Sequence, residues 1–212
     1  MSAGHEIVVR TGTAQGTRRA AIALAGHLRR GDLLVLDGPL GAGKTTFTQG
    51  LGEGLGVRGP VASPTFVIAR VHPSLVGGPQ LVHVDAYRLA GGFDIDDLDL
   101  ETEMDDAVTV VEWGRDRVEH LVDSHLRVVL QRPEEGDAED PENPEEPRTL
   151  TLTAAGPRWD EAAVAALAQA LAAVAADAGL QTDAGSGDDA DADARIGAGA
   201  PSVDRDRTEE ES

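Results

Sequence analysis

One stretch constrains the fold of this chain more than any other. Gly38-Pro39-Leu40-Gly41-Ala42-Gly43-Lys44-Thr45 matches the pattern G-x-x-x-x-G-K-[ST] in full, and Lys44 is the only lysine in 212 residues. Surface solubility does not account for it, because every other cationic side chain of this kind is arginine. The pattern needs glycine because backbone N–H groups must turn inward and close on phosphate oxygens. A Cβ there blocks the approach or forbids the dihedral angles. The lysine of such a loop reaches the β- and γ-phosphates, and the hydroxyl that follows takes a place on Mg²⁺.

The flanks supply the context that the loop requires. Gly31 to Asp37 reads as a short buried strand entering it, and Thr46 to about Leu55 as a helix leaving it, closed by Gly56. The positive end of that helix dipole favours phosphate. Gly41, Ala42, Gly43, Lys44, Thr45 and Thr46 are therefore the candidate nucleotide-binding set of the loop.

Elsewhere the pattern alternates between strands and helices. Glu6–Arg10 predicts a first strand and Thr13–Arg29 a helix with Ala21, Leu24, Ala25 and Leu28 on one face. Phe66–Val71 and Gln80–Asp85 predict two strands around a turn at Pro73–Pro79. An acidic segment, 94–106, reads as helical with its eight carboxylates in solvent. Ala107–Glu112 is a continuous apolar run ending in an acid, the signature of a central buried strand. A helix through about Val122 is expected next, then paired strands at Leu126–Gln131 and Arg148–Thr153, then a helix from about Asp160 to Ala178. The expected fold is a single P-loop α/β domain over residues 1–180. It has three layers, α/β/α, around a mixed, mostly parallel sheet.

The net charge of −20 is concentrated. Residues 133–147 hold eight acids and no base, and residues 181–212 hold ten acids and three arginines. Both segments are poor in large apolar side chains, so neither buries enough surface to offset the entropy of ordering. The first is expected to be a flexible acidic loop and the second a disordered acidic tail. Such charge disfavours direct, tight binding to nucleic acid. It does not disfavour a nucleotide, because distant charges are screened while loop amides and Lys44 act in contact. The absence of cysteine removes disulfides and thiolate chemistry. With no signal-like start and no membrane-length apolar run, the expected location is cytoplasmic.

Phosphoryl transfer needs a metal, an acid behind it and a group that orients the attacking atom. Glu112 closes the most buried strand and is the candidate metal acid opposite Thr45. Trp113 follows it; core packing explains an aromatic there equally well. His83-Val84-Asp85-Ala86-Tyr87-Arg88 ends another strand, and alternation sends His83, Asp85 and Tyr87 to one side. Asp85 could position a water, and Arg88 could pair with phosphate; a structural His–Asp–Arg network accounts for the same residues. Ser63-Pro64-Thr65-Phe66 is either a turn or a segment that reaches the γ-phosphate.

Taken together, Gly38–Phe47, Ser63-Pro64-Thr65-Phe66, His83-x-Asp85-x-Tyr87-Arg88 and Val111-Glu112-Trp113 resemble the TsaE family of bacterial ATPases, over about residues 6–155. The resemblance implies slow hydrolysis of Mg·ATP in support of threonylcarbamoyladenosine formation in tRNA. It implies two protein partners, TsaD and TsaB, of which TsaD performs the transfer, so that tRNA is met only indirectly. By the family motifs, the loop from Gly41 to Thr45 holds the phosphates, Thr45 and Glu112 hold Mg²⁺, and Asp85 acts with Lys44 in catalysis. Trp113 is the adjacent functional aromatic. Thr17 and Arg148 fall where the family places a threonine near the nucleotide and a basic residue on the last strand. Pro39 and Gly114 depart from the family's usual acid and proline; Arg115 stands where a nucleotide or partner contact is possible.

Two other classes share these residues. A guanine-specific enzyme is disfavoured, because its N/T-K-x-D motif needs a second lysine. A small-molecule or nucleoside kinase would add an arginine-bearing lid, which is not evident between Glu112 and Leu126. A non-hydrolysing ATP-sensing module would keep the binding residues and turn Asp85 and Trp113 toward a partner.

Overall fold

The structure, a computed structural model, describes residues 5–64, 67–87, 104–132, 147–177 and 182–186. In chain order the elements are β1 (His5–Thr11), α1 (Ala14–Ala25), β2 (Leu33–Asp37), α2 (Lys44–Gly54), β3 (Ala69–His72), β4 (Gln80–Asp85), β5 (Ala107–Glu112), β6 (His125–Gln131), β7 (Arg148–Ala155), α3 (Glu161–Asp177) and β8 (Thr182–Ser186). They form one mixed sheet in the order β3-β4-β5-β2-β6-β7-β1-β8.

The expectation of a mostly parallel sheet is corrected by the pairings. Only β4–β5, β5–β2 and β2–β6 run parallel, while β3–β4, β6–β7, β7–β1 and β1–β8 are antiparallel. The reason lies in the connections. Parallel neighbours require a long crossover, whereas β6 and β7 follow one another and fold back as a hairpin.

Burial tracks this division. Every residue of β5 is buried, as are Leu33–Leu36 of β2, because both faces of the parallel centre are covered. In β6 and β7 buried and half-buried residues alternate instead, so one face of that flank packs inward and the other meets solvent. The principal core joins Leu34, Leu36, Val110, Leu126 and Leu150 of the sheet to Leu24 of α1, Phe47 and Leu51 of α2, and Leu167 and Leu171 of α3. All three described α-helices therefore pack against one face.

The third layer is correspondingly thin. Over β4, β5 and β2 the opposite face is covered by Met104, Val118, Leu121 and Val122. The helix expected after Glu112 does not form there. Trp113 and Asp116 take left-handed φ of 61° and 59°, which no α-helix accommodates. The carboxylate of Glu119 then accepts from the N–H groups of Asp116, Arg117 and Val118, winding the segment into turns that end in a 3₁₀ helix, Glu119–Leu121. Burial alone would raise the Glu119 pKa; these backbone donors outweigh it and hold the carboxyl below its usual range.

The other departures are smaller. The helix expected to reach Arg29 stops at Ala25, and the strand expected at Phe66–Val71 runs Ala69–His72, with Phe66 itself outside the described residues. The segment expected to be a disordered tail contributes β8, whose Thr182–Ser186 pair antiparallel with β1. Most of the acidic segment 94–106, residues 133–146 and residues 187–212 lie outside the described residues. Among those described, no helix is long and apolar enough to cross a membrane.

Candidate functional site

β2, β4, β5 and β6 are parallel, so their carboxyl ends share one edge of the sheet. Ligands of open α/β sheets bind outside that edge. β2 delivers the glycine loop there, and α2 starts directly after it. Gly43 caps α2 at φ 103° with no side-chain cap, so first-turn N–H groups that follow the loop lack an intrahelical partner. A Cβ on Gly38, at φ 137°, would run into the Leu130 carbonyl oxygen, so only glycine lets the loop pass β6 this closely.

Lys44 is buried at the centre of this arrangement. Its Nζ donates to the carbonyl oxygens of Gly38 at 2.7 Å and Pro39 at 3.2 Å. It also lies 3.9 Å from the centroid of the Trp113 ring. Burial pulls the ammonium below the usual lysine value, against the opposing pull of Glu112, Asp37 and Asp85. The same influence puts three carboxylates within electrostatic reach of Nζ. The cation–π contact contributes on the order of 0.5–2 kcal/mol.

The remaining loop residues are placed as their types suggest. Ala42 is buried and its N–H donates to Pro39 at 3.1 Å, while Asp37 Oδ1 accepts from Gly38 N–H at 3.0 Å. Thr45 and Thr46 are half-buried in the first turn of α2, and their hydroxyls bond none of the described residues. Gly41 is exposed, and its carbonyl accepts from Arg132 Nη2 at 3.0 Å.

The acids arrive by strand register. β4 and β5 pair so that Asp85 stands beside Glu112, and β5 pairs with β2 so that Glu112 stands beside Leu36. Both carboxylates are buried. His83 Nε2 bonds Glu112 Oε1 at 2.9 Å, and Asp85 Oδ1 accepts from the Tyr87 N–H at 3.0 Å. Trp113 N–H donates to Leu36 carbonyl at 3.0 Å, which holds its left-handed turn against β2. Its ring meets Tyr87 at 5.4 Å and 55°. Alternation placed His83 and Asp85 correctly on one buried side; Tyr87 lies past the strand end, exposed, against Trp113.

Thr17 and Arg148 gather at a neighbouring corner of the same edge. Thr17 is buried, with its hydroxyl 2.9 Å from that of Thr11 and 3.4 Å from the Thr13 carbonyl. Arg148 is the register partner of Thr11 across β1 and β7, and its Nη1 donates to the Pro147 carbonyl at 2.9 Å. Among the described residues no hydrogen bond ties Thr17 to the loop. Pro64 is buried and its carbonyl turns the chain through Val67 and Ile68, but Thr65, Phe66 and Arg88 lie outside the described residues. Arg115 is half-buried, 3.6 Å from the carboxylate of Asp116.

Sequence reasoning missed Arg132 and Asp37 as parts of this site, and it did not connect His83 to Glu112. Arg132 carried a signal in principle, as a cation ending the alternation of β6. A cleft of about 460 Å³ at the opposite edge, lined by Arg29, Asp32, His120 and Arg158, lies away from these groups. Asp32 and Arg158 tie it together at 3.1 Å.

The donor set suits a magnesium nucleotide. Mg²⁺ is bound through one or two protein oxygens plus phosphates and water, and Thr45 and Glu112 offer a hydroxyl and a carboxylate. Among the described residues no group of three or more His, Cys, Asp or Glu forms a dedicated metal cage.

Residues 11–139 match the family described as "Threonylcarbamoyl adenosine biosynthesis protein TsaE". The chain belongs to the TsaE family. A Streptomyces coelicolor protein described as tRNA threonylcarbamoyladenosine biosynthesis protein TsaE is 59% identical over 146 residues, covering 68% of this chain and 95% of the relative. A Bacillus subtilis TsaE is 38% identical over 152 residues, covering 71% and 87%. The crystal structure of YdiB from Bacillus subtilis superposes with a TM-score of 0.62 at 32% identity, over 80% of this chain and 98% of that one. The TsaE match contains the loop, Asp85, Glu112, Trp113 and Arg132, whereas Arg148, α3 and β8 lie beyond it.

Proposed function

We propose that this TsaE-family chain binds Mg·ATP at the glycine loop and hydrolyses it slowly by itself, in support of threonylcarbamoyladenosine formation in tRNA. The family assignment and the names of its relatives support the pathway. The observation that carries the chemistry is the place of the only lysine. Lys44 stands between the loop carbonyls and the carboxylates of Glu112, Asp37 and Asp85.

In this reading the loop N–H groups from Gly41 to Thr46 and the Lys44 ammonium hold the β- and γ-phosphates. Thr45 and Glu112 would hold Mg²⁺, which neutralises charge developing on the phosphate oxygens. Asp85, one strand over from Glu112, orients the attacking water and accepts its proton. Trp113 steadies Lys44 from below, and Thr17 and Arg148 border the nucleotide at the far corner of the edge. Turnover rises with a TsaD-like transferase and a TsaB-like protein, and tRNA is met through them.

Cells depleted of this protein and complemented with wild type or Lys44→Ala test the reading, by mass spectrometry of tRNA nucleosides. Restoration of threonylcarbamoyladenosine by wild type alone is expected. An unchanged level on depletion would overturn the pathway role. Calorimetry with Mg·ATP tests the site separately, and normal binding by Lys44→Ala would overturn it.

A further inference from the structure

The mechanism above uses Glu112 and leaves its buried neighbour unexplained. His83 is 0% exposed in the middle of β4, on the face of the sheet that α2 covers. A histidine there costs desolvation unless its nitrogens are used. Its Nε2 lies 2.9 Å from Glu112 Oε1, while Nδ1 has no hydrogen-bond partner among the described residues.

These facts define the ring's hydrogen. A carboxylate that holds a metal only accepts, so with Glu112 in that role the bond requires hydrogen on Nε2. A hydrogen on Nδ1 would be a buried donor with no acceptor among the described residues, which is unfavourable. The ring is thus aimed at Glu112 as a donor. Glu112 itself ends β5, and one of its oxygens is engaged by His83, so the rotation of the carboxylate is restricted. Its charge also acts on the ammonium of Lys44, the first residue of α2 and the neighbour of Thr45.

We infer that His83 is a positioning residue: its Nε2–H, donated across the β4–β5 pair, fixes the Glu112 carboxylate in the orientation that a divalent cation at Thr45 requires. The inference rests on reading Glu112 as the metal acid, and it gives the histidine of the strand-end motif a role apart from catalysis. Partners behind a metal's own ligands commonly set its affinity by about 10–100-fold.

The test uses the full chain with Mn²⁺ as probe, read by electron paramagnetic resonance in the presence of ATP. Nucleotide affinity in EDTA is measured beside it. His83→Phe removes the donor, and His83→Gln keeps an N–H near the position of Nε2. Glu112→Gln reports on the metal reading itself. The expected result is a rise of at least about 10-fold in half-saturating Mn²⁺ for His83→Phe, with recovery in His83→Gln. Metal-free nucleotide affinity stays unchanged in both. Long-range ¹H–¹⁵N spectra of wild type should show hydrogen on Nε2 and a bare Nδ1.

Weakening of metal-free and metal-bound affinity alike, with no recovery in His83→Gln, would reduce His83 to a packing residue. Hydrogen on Nδ1 in the spectra would also overturn the inference, even if His83→Phe fails to fold. If Glu112→Gln weakens Mn²⁺ and His83→Phe does not, the inference fails while the metal site stands. If Glu112→Gln has no effect, the metal reading fails and takes the inference with it. Loss of ATP hydrolysis alone in wild type would sink the proposed activity and leave His83 in place.

Discussion

The parallel centre of the sheet and its antiparallel flank obey the same backbone chemistry but carry different loads. In β4, β5 and β2 the interior is mostly apolar; Thr109 is buried in mid-strand, and three further buried polar groups, His83, Asp85 and Glu112, lie in the carboxyl halves of β4 and β5. In β6, β7 and β1 apolar residues alternate, and the buried polar side chain at the shared edge is a threonine, Thr11. The contrast follows from coverage. A strand covered on both faces can aim functional groups only from its end, where the chain leaves the sheet. A strand covered on one face is free to be polar on the other, and serves here to close the core beneath α1 and α3.

Three pairs of measurements and one pH series would sharpen or break this division. Lys44→Ala, at the end of the centre, is expected to lower Mg·ATP turnover by about 10²–10³-fold or more, checked by steady-state assay. Thr17→Val, at the corresponding corner of the flank that borders the nucleotide, is expected to weaken nucleotide affinity modestly and to lower turnover far less than Lys44→Ala does. It should cost about 1 kcal/mol of stability through its lost bond to Thr11, read by denaturant titration.

For packing, Leu34→Ala in β2 should destabilise by about 2–5 kcal/mol, because the side chain is wholly buried between sheet and helices. Val8→Ala on the half-buried side of β1 should change stability by only about 0.5 kcal/mol. Comparable losses at both positions would mean that the flank is as fully enclosed as the centre.

Asp85→Asn is expected to reduce turnover by about 10²-fold while sparing nucleotide affinity, measured by calorimetry beside the rate. A large affinity loss at unchanged rate would make Asp85 a binding residue. Arg132→Ala, at the start of the flank, should instead weaken nucleotide affinity modestly, since it braces the Gly41 carbonyl.

The smallest effect concerns pH and the turn that replaced a helix. The Glu119 carboxyl is held below its ordinary value of 4.5 in the folded chain. Its contribution is therefore fully present above the unfolded value, and is lost as pH falls through the folded one. Glu119→Gln should remove that part of the acid-side loss in thermal melts, while lowering stability slightly at neutral pH. An unaltered acid limb would mean that the turn does not depend on the carboxylate.

Much of the fold was legible because it depends on neighbours in sequence. The bounds of β4 and β5 were read to the residue, since each largely apolar stretch ends at an acid, Asp85 or Glu112. β6 and β7 were read as a pair from their alternation. The segment after Glu112 was misread because its apolar spacing fits a helix, while the left-handed turn at Trp113 and the carboxylate-centred turn at Glu119 have no periodic signature. β8 was missed because Thr-Asp-Ala-Gly-Ser has one β-branched residue, no aromatic one, and Asp and Gly that disfavour strands; it is paired through backbone against an existing edge.

The sequence by itself determined the glycine loop, its lysine and hydroxyl, the α/β class and the family resemblance. Each of these rests on residues adjacent in the chain or on motifs in a set order. Beyond the consecutive pairs β3–β4 and β6–β7, tertiary structure decided which strands are neighbours, and with that the site. It brought Glu112 to His83 across 29 positions and Arg132 to Gly41 across 91, and it set Trp113 under Lys44. The physical reason is that apolar strands of similar composition can pair in many orders. The crossovers, the helices packed over them and the register of their ends select one.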